Sequence, residues 1–480
     1  HRGRGTDGCN EISGPRGEVM RKTAIFKDDL FLMHDPGPNH PERIDRLRVI
    51  YDFIEKPEHR KKFVFPDFGP ADLGHLEKIH GEALIRRVAV TCGRRYDDLE
   101  QDTATSAHSY EAALLAAGAV ISGFDLLLEG EIDNGFALVR PPGHHAERDR
   151  AMGFCLFNNI AVAAWHAAAG HNLERIKIID WDLHQGNGTQ FSFYDTSTVL
   201  YLSTHQFPYY PGTGALQETG IGEGEGYTVN IPLPGGFGDH EYAAIFNDIV
   251  IPVGRAYQPQ LILVSAGFDI YHGDPLGSMS VGPAGFAYMT RALLGLAEEV
   301  CRGRLLVTLE GGYNLKGQRD GALAVLSELL GGPLTDDDSE FYLDDATAAQ
   351  FINSHNSHDA IGRAIEAAGS HWNICGERVM SVKQEKAARI IVADDDDLVC
   401  SAVVQILEMF GYEAVGVLGG RELLQRVDES FDVIISNPPY ALDLDADANT
   451  AVIDTGDLGF SIVRGLNRHL RPSGVCILFY

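Results

Sequence analysis

At 480 residues the chain exceeds one ordinary domain and predicts two or three. A formal net charge of -29 argues against direct nucleic-acid binding, which calls for a basic patch, and favours a cationic, amine-bearing substrate instead. No apolar run is expected to span a membrane, because the longest, residues 112–128, is interrupted by Ser122, Gly123 and Asp125 and fits a buried helix.

Residues 1–19 are Gly/Arg-rich and lack an apolar core, so they are expected to be upstream read-through or a tag and not a signal peptide, with Met20 a natural start before a first strand. From 20 to about 332, apolar runs at 136–139, 176–179, 198–202, 261–264 and 305–309 alternate with helical stretches at 110–128, 158–169, 241–255, 284–299 and 320–330. Apolar runs without alternation, separated by helices, predict a parallel sheet buried on both faces, hence a three-layer α/β/α fold. An acidic segment at 334–346 and a helical stretch at 348–368 complete a domain over 20–373, followed by a linker at 374–387. A second α/β pattern occupies 388–480 and stops inside the apolar run 475–480, so this smaller domain is expected to be truncated. Seven dispersed cysteines without a CxxC pair predict reduced thiols and a cytoplasmic location.

Four segments carry chemistry, each at the carboxyl end of a predicted strand, where open α/β sheets build their sites. In Asp180-Trp181-Asp182-Leu183-His184 strand alternation would send Asp180, Asp182 and His184 one way. Asp269, in Ser265-Ala-Gly-Phe-Asp269, adds a second carboxylate to Asp182 and His184. Three such ligands with a fourth position open are the catalytic form of a zinc site. Arg140-Pro-Pro-Gly-His144-His145 offers a histidine pair suited to proton transfer near neutral pH. Glu310-Gly-Gly-Tyr313-Asn314 places a phenol at the same edge, able to donate to a developing oxyanion. Together they describe metal-assisted amide hydrolysis.

Those motifs, in that order, resemble the histone deacetylase and acetylpolyamine amidohydrolase family. The segment from His34 through His40-Pro-Glu42-Arg43 to Asp45-Arg46-Leu47, with Gly153-Phe154-Cys155 and Tyr210-Pro-Gly-Thr-Gly214, extends the resemblance over roughly residues 20–373. It implies catalytic zinc on Asp182, His184 and Asp269, with His145 as general base oriented by Asn187, and His144 as its partner held by Asp180. Asn187, where some members have Asp, resembles the class II and bacterial branch. Tyr313 would bind the carbonyl oxygen, Gly153, Phe154 and Tyr210 would line the alkyl channel, and Asp102 would hold the substrate backbone at the rim. The family also binds potassium, which would fall on Asp180, Asp182, His184 and Ser203, with a second site at Phe193, Thr196, Val199 and Tyr227. Gln185 departs from the His found in many members and is expected to leave the metal undisturbed. The resemblance implies an acetylated lysine or polyamine as substrate and leaves a homo-oligomer open.

Other readings fit less well. A dinuclear manganese ureohydrolase resembling arginase would need further carboxylates where Gln185-Gly186 and Ile270-Tyr271 stand. A non-catalytic acetyl-lysine reader would be expected to have lost His145 or Tyr313. The segment 388–480 opens like a response-regulator receiver at Ile390–Asp397, yet Asn437-Pro438-Pro439-Tyr440 resembles the catalytic loop of amino-methyltransferases. It lacks the Gly-rich loop that would cradle a methyl donor, so a degenerate domain without a reaction of its own is expected.

Overall fold

The apolar runs become the strands of one sheet. The computed structural model describes residues 20–335, 341–355 and 358–374, together with the backbone of six strands between 389 and 479. The chain divides into two units, His1–Gly376 and Glu377–Tyr480.

In the first unit the strands are β1 (Thr23–Phe26), the short hairpin β2 (Asp97–Glu100) and β3 (Thr103–Thr105), then β4 (Asn134–Ala137), β5 (Ile176–Asp180), β6 (Val199–Gln206), β7 (Thr228–Leu233), β8 (Leu261–Ala266) and β9 (Leu305–Leu309). Seven of them form one sheet in the order β1-β4-β9-β8-β5-β6-β7, and every neighbouring pair is parallel. The central strands β4, β5, β8 and β9 are buried at every residue, as a sheet covered on both faces requires.

Two elements differ from expectation for identifiable reasons. Strand β7 carries Pro232, which weakens its strand signal; a proline is tolerated there because β7 is the edge strand. The expected helix at 348–368 is two helices, Asp345–Ile352 and Asp359–Gly369. Asn247 ends the first by donating to the carbonyls of Phe351 and Ser354, each at 2.8 Å, and His358 caps the second by accepting from the Ala360 N–H.

The helix Ser109–Glu129 also corrects an expectation: its length and composition alone are sufficient to cross a membrane. Its Ala and Gly positions let it lie close to neighbouring backbone. A Cβ at Gly118 would come within 2.0 Å of the Gly69 carbonyl oxygen, so only glycine fits. Two thirds of its most apolar window is buried inside the unit (67%).

In the second unit six strands, β10 (Arg389–Asp394), β11 (Glu413–Leu418), β12 (Phe431–Ser436), β13 (Ala451–Asp454), β14 (Phe460–Arg464) and β15 (Leu470–Phe479), are ordered β11-β10-β12-β15-β14-β13. The first four in that order pair in parallel, and β13, β14 and β15 pair antiparallel. The loop Asn437-Pro438-Pro439-Tyr440 lies outside the described residues.

Candidate active site

The four chemistry-bearing segments follow β4, β9, β8 and β5, which are consecutive neighbours at the centre of the sheet. All four leave the same edge because the strands are parallel. Strand alternation is not what aligns the metal-type ligands, however. Strand β5 ends at Asp180, and residues 182–184 form a bend. The bend is held by hydrogen bonds from the Leu183 N–H to Asp269 Oδ1 (2.8 Å), the His184 N–H to Asp182 Oδ1 (2.9 Å) and the Asp182 N–H to Asp180 Oδ1 (3.1 Å). Asp180 therefore serves a different partner from Asp182 and His184.

Asp182, His184 and Asp269 are buried, with potential ligand atoms within 4.8 Å of one another. His184 Nδ1 lies 3.3 Å from Asp182 Oδ1 and 3.0 Å from Asp269 Oδ2. Two glycines shape the space around the carboxylates. A Cβ at Gly267 would fall 2.1 Å from Asp182 Oδ2, and one at Gly311 would fall 2.5 Å from Asp269 Oδ2. The Gly311 N–H donates to Asp182 Oδ2 at 2.8 Å. Burial raises the pKa of Asp269 to about 7, with the neighbouring Asp182 carboxylate adding to the rise. Two carboxylates and an imidazole enclosed this tightly repel or protonate unless a cation joins them, so the donor set fits a divalent ion such as zinc.

The histidine pair stands beside this group. His144 Nδ1 is 3.1 Å from Asp180 Oδ2, which also accepts from the Tyr201 hydroxyl at 3.0 Å. Burial disfavours the charged His144, but the Asp182 and Asp180 carboxylates outweigh it and push its pKa up to about 10. His145 behaves in the opposite way. Burial and the His144 and His184 charges hold its pKa well below the ordinary value. Its Nδ1 meets Asn187 Oδ1 at 2.8 Å, while Asn187 Nδ2 donates to Glu147 Oε1 at 2.6 Å. An ionised carboxylate accepts only, so Glu147 fixes the amide and makes His145 Nδ1 the protonated nitrogen. Nε2 is left unprotonated.

Sequence reasoning assigned no role to the groups that support these residues. Glu310 is fully buried, and burial raises its pKa to about 7. Its Oε2 accepts from the N–H groups of Gly143 (2.7 Å) and His144 (3.2 Å), tying the β4 loop to β9. Arg46 Nε donates to the Gly312 carbonyl at 2.6 Å and its guanidinium lies 5.0 Å from the Tyr313 ring centroid. Arg46 and Arg140 both pair with Glu42, and all three are fully buried. Asp274 Oδ2 accepts from the Tyr313 and Asn314 N–H groups at 2.7 and 2.8 Å. Glu42, Arg46 and Arg140 lie inside the quoted motifs, which was the available signal; Asp274 had none. Burial holds the pKa of the Tyr313 hydroxyl well above its usual value, so it remains a donor.

The expected channel residues gather around the same point. Phe154 stacks edge-on against Tyr313 at 5.8 Å, and Tyr210 against His145 at 5.2 Å. Gly153 is required by close approach, since a Cβ there would meet His145 Cδ2 at 2.3 Å. Asp102 Oδ1 accepts from the Gly153 N–H at 3.2 Å. Tyr209, unassigned beforehand, stacks on His184 at 5.7 Å and is half exposed. Gln185 turns away from the ligands toward Gln190 (2.8 Å) and Thr213 (2.6 Å). Asp180 and Ser203 are register partners across β5 and β6. Thr196 donates its N–H to Phe193 at 3.3 Å just before Val199 opens β6, and the Tyr227 carbonyl accepts from Tyr201 at 2.9 Å.

Comparison with known proteins points the same way. The histone deacetylase domain family matches residues 40–329. A probable deacetylase of Archaeoglobus fulgidus is 40% identical over 298 residues, 62% of this chain and 82% of that one. Histone deacetylase 15 of Arabidopsis thaliana is 41% identical over 67% of this chain, which spans 59% of that relative's length. A solved structure described as the crystal structure of the HDA15 HD domain superposes with a TM-score of 0.65 at 36% identity, covering 74% of this chain and 96% of that one. With its four motifs meeting at one edge of a seven-stranded parallel sheet, the chain belongs to the histone deacetylase family of hydrolases.

Proposed function

We propose that the first unit is a zinc-dependent deacetylase that hydrolyses the amide of acetyl-lysine side chains. The observation that carries this reading is the enclosed set of Asp182, His184 and Asp269 with the His145 imidazole, held by Asn187, directly beside it. Zinc held by those three residues would supply a Lewis acid for the carbonyl and a water of lowered pKa. His145 Nε2 takes a proton from the attacking water, with Asn187 and Glu147 holding its ring and tautomer. His144 Nδ1, 3.1 Å from Asp180 Oδ2, stays paired with that carboxylate while the oxyanion forms. The Tyr313 hydroxyl donates to that oxygen, and Arg46 keeps the phenol in place. A proton then passes from a protonated histidine to the leaving amine.

Phe154 and Tyr210 would clasp a straight alkyl chain, and Asp102 would accept from the substrate backbone at the rim. Potassium on the Asp180, Asp182, His184 and Ser203 set, and on the Phe193, Thr196, Val199 and Tyr227 set, belongs to the same reading. The test is acetate release by the full chain from acetyl-lysine peptides beside acetylputrescine and acetylspermidine, with metal content measured on the same sample. Peptide turnover that disappears in Asp182→Ala supports the assignment. Turnover of the polyamines alone would move the substrate to that class, and no turnover with metal bound would remove the deacetylase reading.

A further inference from the structure

A second cluster of ligand-type side chains lies at the opposite edge of the sheet, before β5 begins. Asp125 comes from the last turns of helix Ser109–Glu129, His166 from the π turn that ends helix Asn159–Trp165, and His171 from the segment leading into β5. His166 Nε2 is 2.9 Å from Asp125 Oδ1, His171 Nε2 is 3.3 Å from the same oxygen, and the two nitrogens are 3.3 Å apart. A tetrahedral ion bonded at ~2.0–2.1 Å spaces its ligands about 3.3 Å apart, so the three atoms already stand near the edges of one tetrahedral face. The two imidazole nitrogens cannot hydrogen-bond to each other while both serve Asp125. A shared cation satisfies both lone pairs and the carboxylate together.

The surroundings fit the same reading. The other ring nitrogen of His166, Nδ1, meets His75 Nε2 at 3.2 Å. In the tautomer in which His166 Nδ1 donates to His75, His166 Nε2 is unprotonated, the arrangement that an outer partner gives a ligating histidine. Phe124 packs edge-on against both His166 (5.8 Å) and His171 (5.1 Å), giving the cluster an apolar wall. Asp125 and His166 are half-buried and His171 is exposed, so the fourth position faces solvent.

We propose that Asp125, His166 and His171 form a second divalent transition-metal site, with His75 as a positioning residue and zinc or a similar borderline ion as the ligand. The site stands apart from the deacetylation machinery and does not depend on it.

The test uses the full chain carrying Asp182→Ala, which separates this site from the proposed catalytic one. After exchange into Zn²⁺ and removal of free metal, that variant is expected to retain about one zinc per chain by elemental analysis. Adding His171→Ala, at an exposed position, should remove that equivalent, and Asp125→Asn should do the same. His75→Ala should weaken Zn²⁺ affinity by about 10–100-fold, as loss of an outer partner does. In the otherwise unsubstituted chain, His171→Ala should lower zinc by one equivalent while acetate release is unchanged. Equal zinc content with and without His171→Ala, or no zinc on the Asp182→Ala chain, would overturn the proposal.

Discussion

Among the described residues of the first unit two His/Asp clusters of ligand type stand at opposite edges of the sheet, and they are built differently. At the carboxyl edge both candidate carboxylate ligands are braced: backbone N–H groups of Leu183, His184 and Gly311 point at them, and glycines at 267 and 311 leave room for them. At the amino edge Asp125, His166 and His171 contact one another, and the bracing known for them comes from side chains, His75 and Phe124. Enclosure is the second contrast. The carboxyl-edge ligands are buried, whereas the amino-edge ligands grade from half-buried to exposed. A preorganised and enclosed set can raise the charge density acting on a substrate, because water is excluded and no reorganisation is needed. A solvent-facing set can hold an ion but has little leverage on a reaction.

If that contrast is right, the largest effects on turnover come from the carboxyl edge. His145→Ala removes the base and should lower kcat by about 10²–10⁴-fold in steady-state acetate release, while zinc content stays near that of the unsubstituted chain. Retained activity would mean that the neutral imidazole is not the base. Tyr313→Phe should follow, with kcat reduced by about 10²–10³-fold and KM little changed, since it removes one donor to the oxyanion.

A third variant sharpens the role of bracing. Glu42 is fully buried between Arg140 and Arg46, with Arg140 Nη2 at 2.6 Å and Arg46 Nη1 at 3.0 Å. Glu42→Gln leaves those cations without a charge partner and should cost about 3–5 kcal/mol in urea unfolding. The pH dependence has a defined sign. Burial opposes ionisation of Glu42, but Arg140 outweighs it and its folded pKa lies below the ordinary value. Its contribution is therefore present above the unfolded Glu value of about 4.3 and lost as pH falls below it. Unfolding midpoints across that range should drop with acid in the unsubstituted chain and less steeply in Glu42→Gln. The smallest effect on turnover belongs to the amino edge, where His171→Ala should leave kcat unchanged. A matching loss of activity there would break the comparison.

The sequence was informative where local pattern and side-chain chemistry coincide. Five strands were legible because runs such as residues 261–264 are apolar at every position, which only a doubly covered sheet requires. Asp182, His184, Asp269, His144, His145 and Tyr313 were legible because each follows such a run in a short motif. Strand β7 was obscured by Pro232, and the break between helices Asp345–Ile352 and Asp359–Gly369 depends on Asn247, a residue about a hundred positions away.

Residue types and their order along the chain determined the α/β class, the parallel sheet and the identity of the candidate ligands, because these follow from hydrophobic periodicity and donor chemistry. Tertiary structure alone decided that β4, β9, β8 and β5 are neighbours, so that segments more than a hundred residues apart meet at one edge. It also decided that Asp180 serves His144 while Asp182 serves His184, and that His75, Asp125, His166 and His171 converge at all. The physical reason is common to these cases. Hydrogen bonds and ligand sets depend on distances of about 3 Å between side chains, and strand order and bend geometry, set by packing of the whole unit, determine those distances.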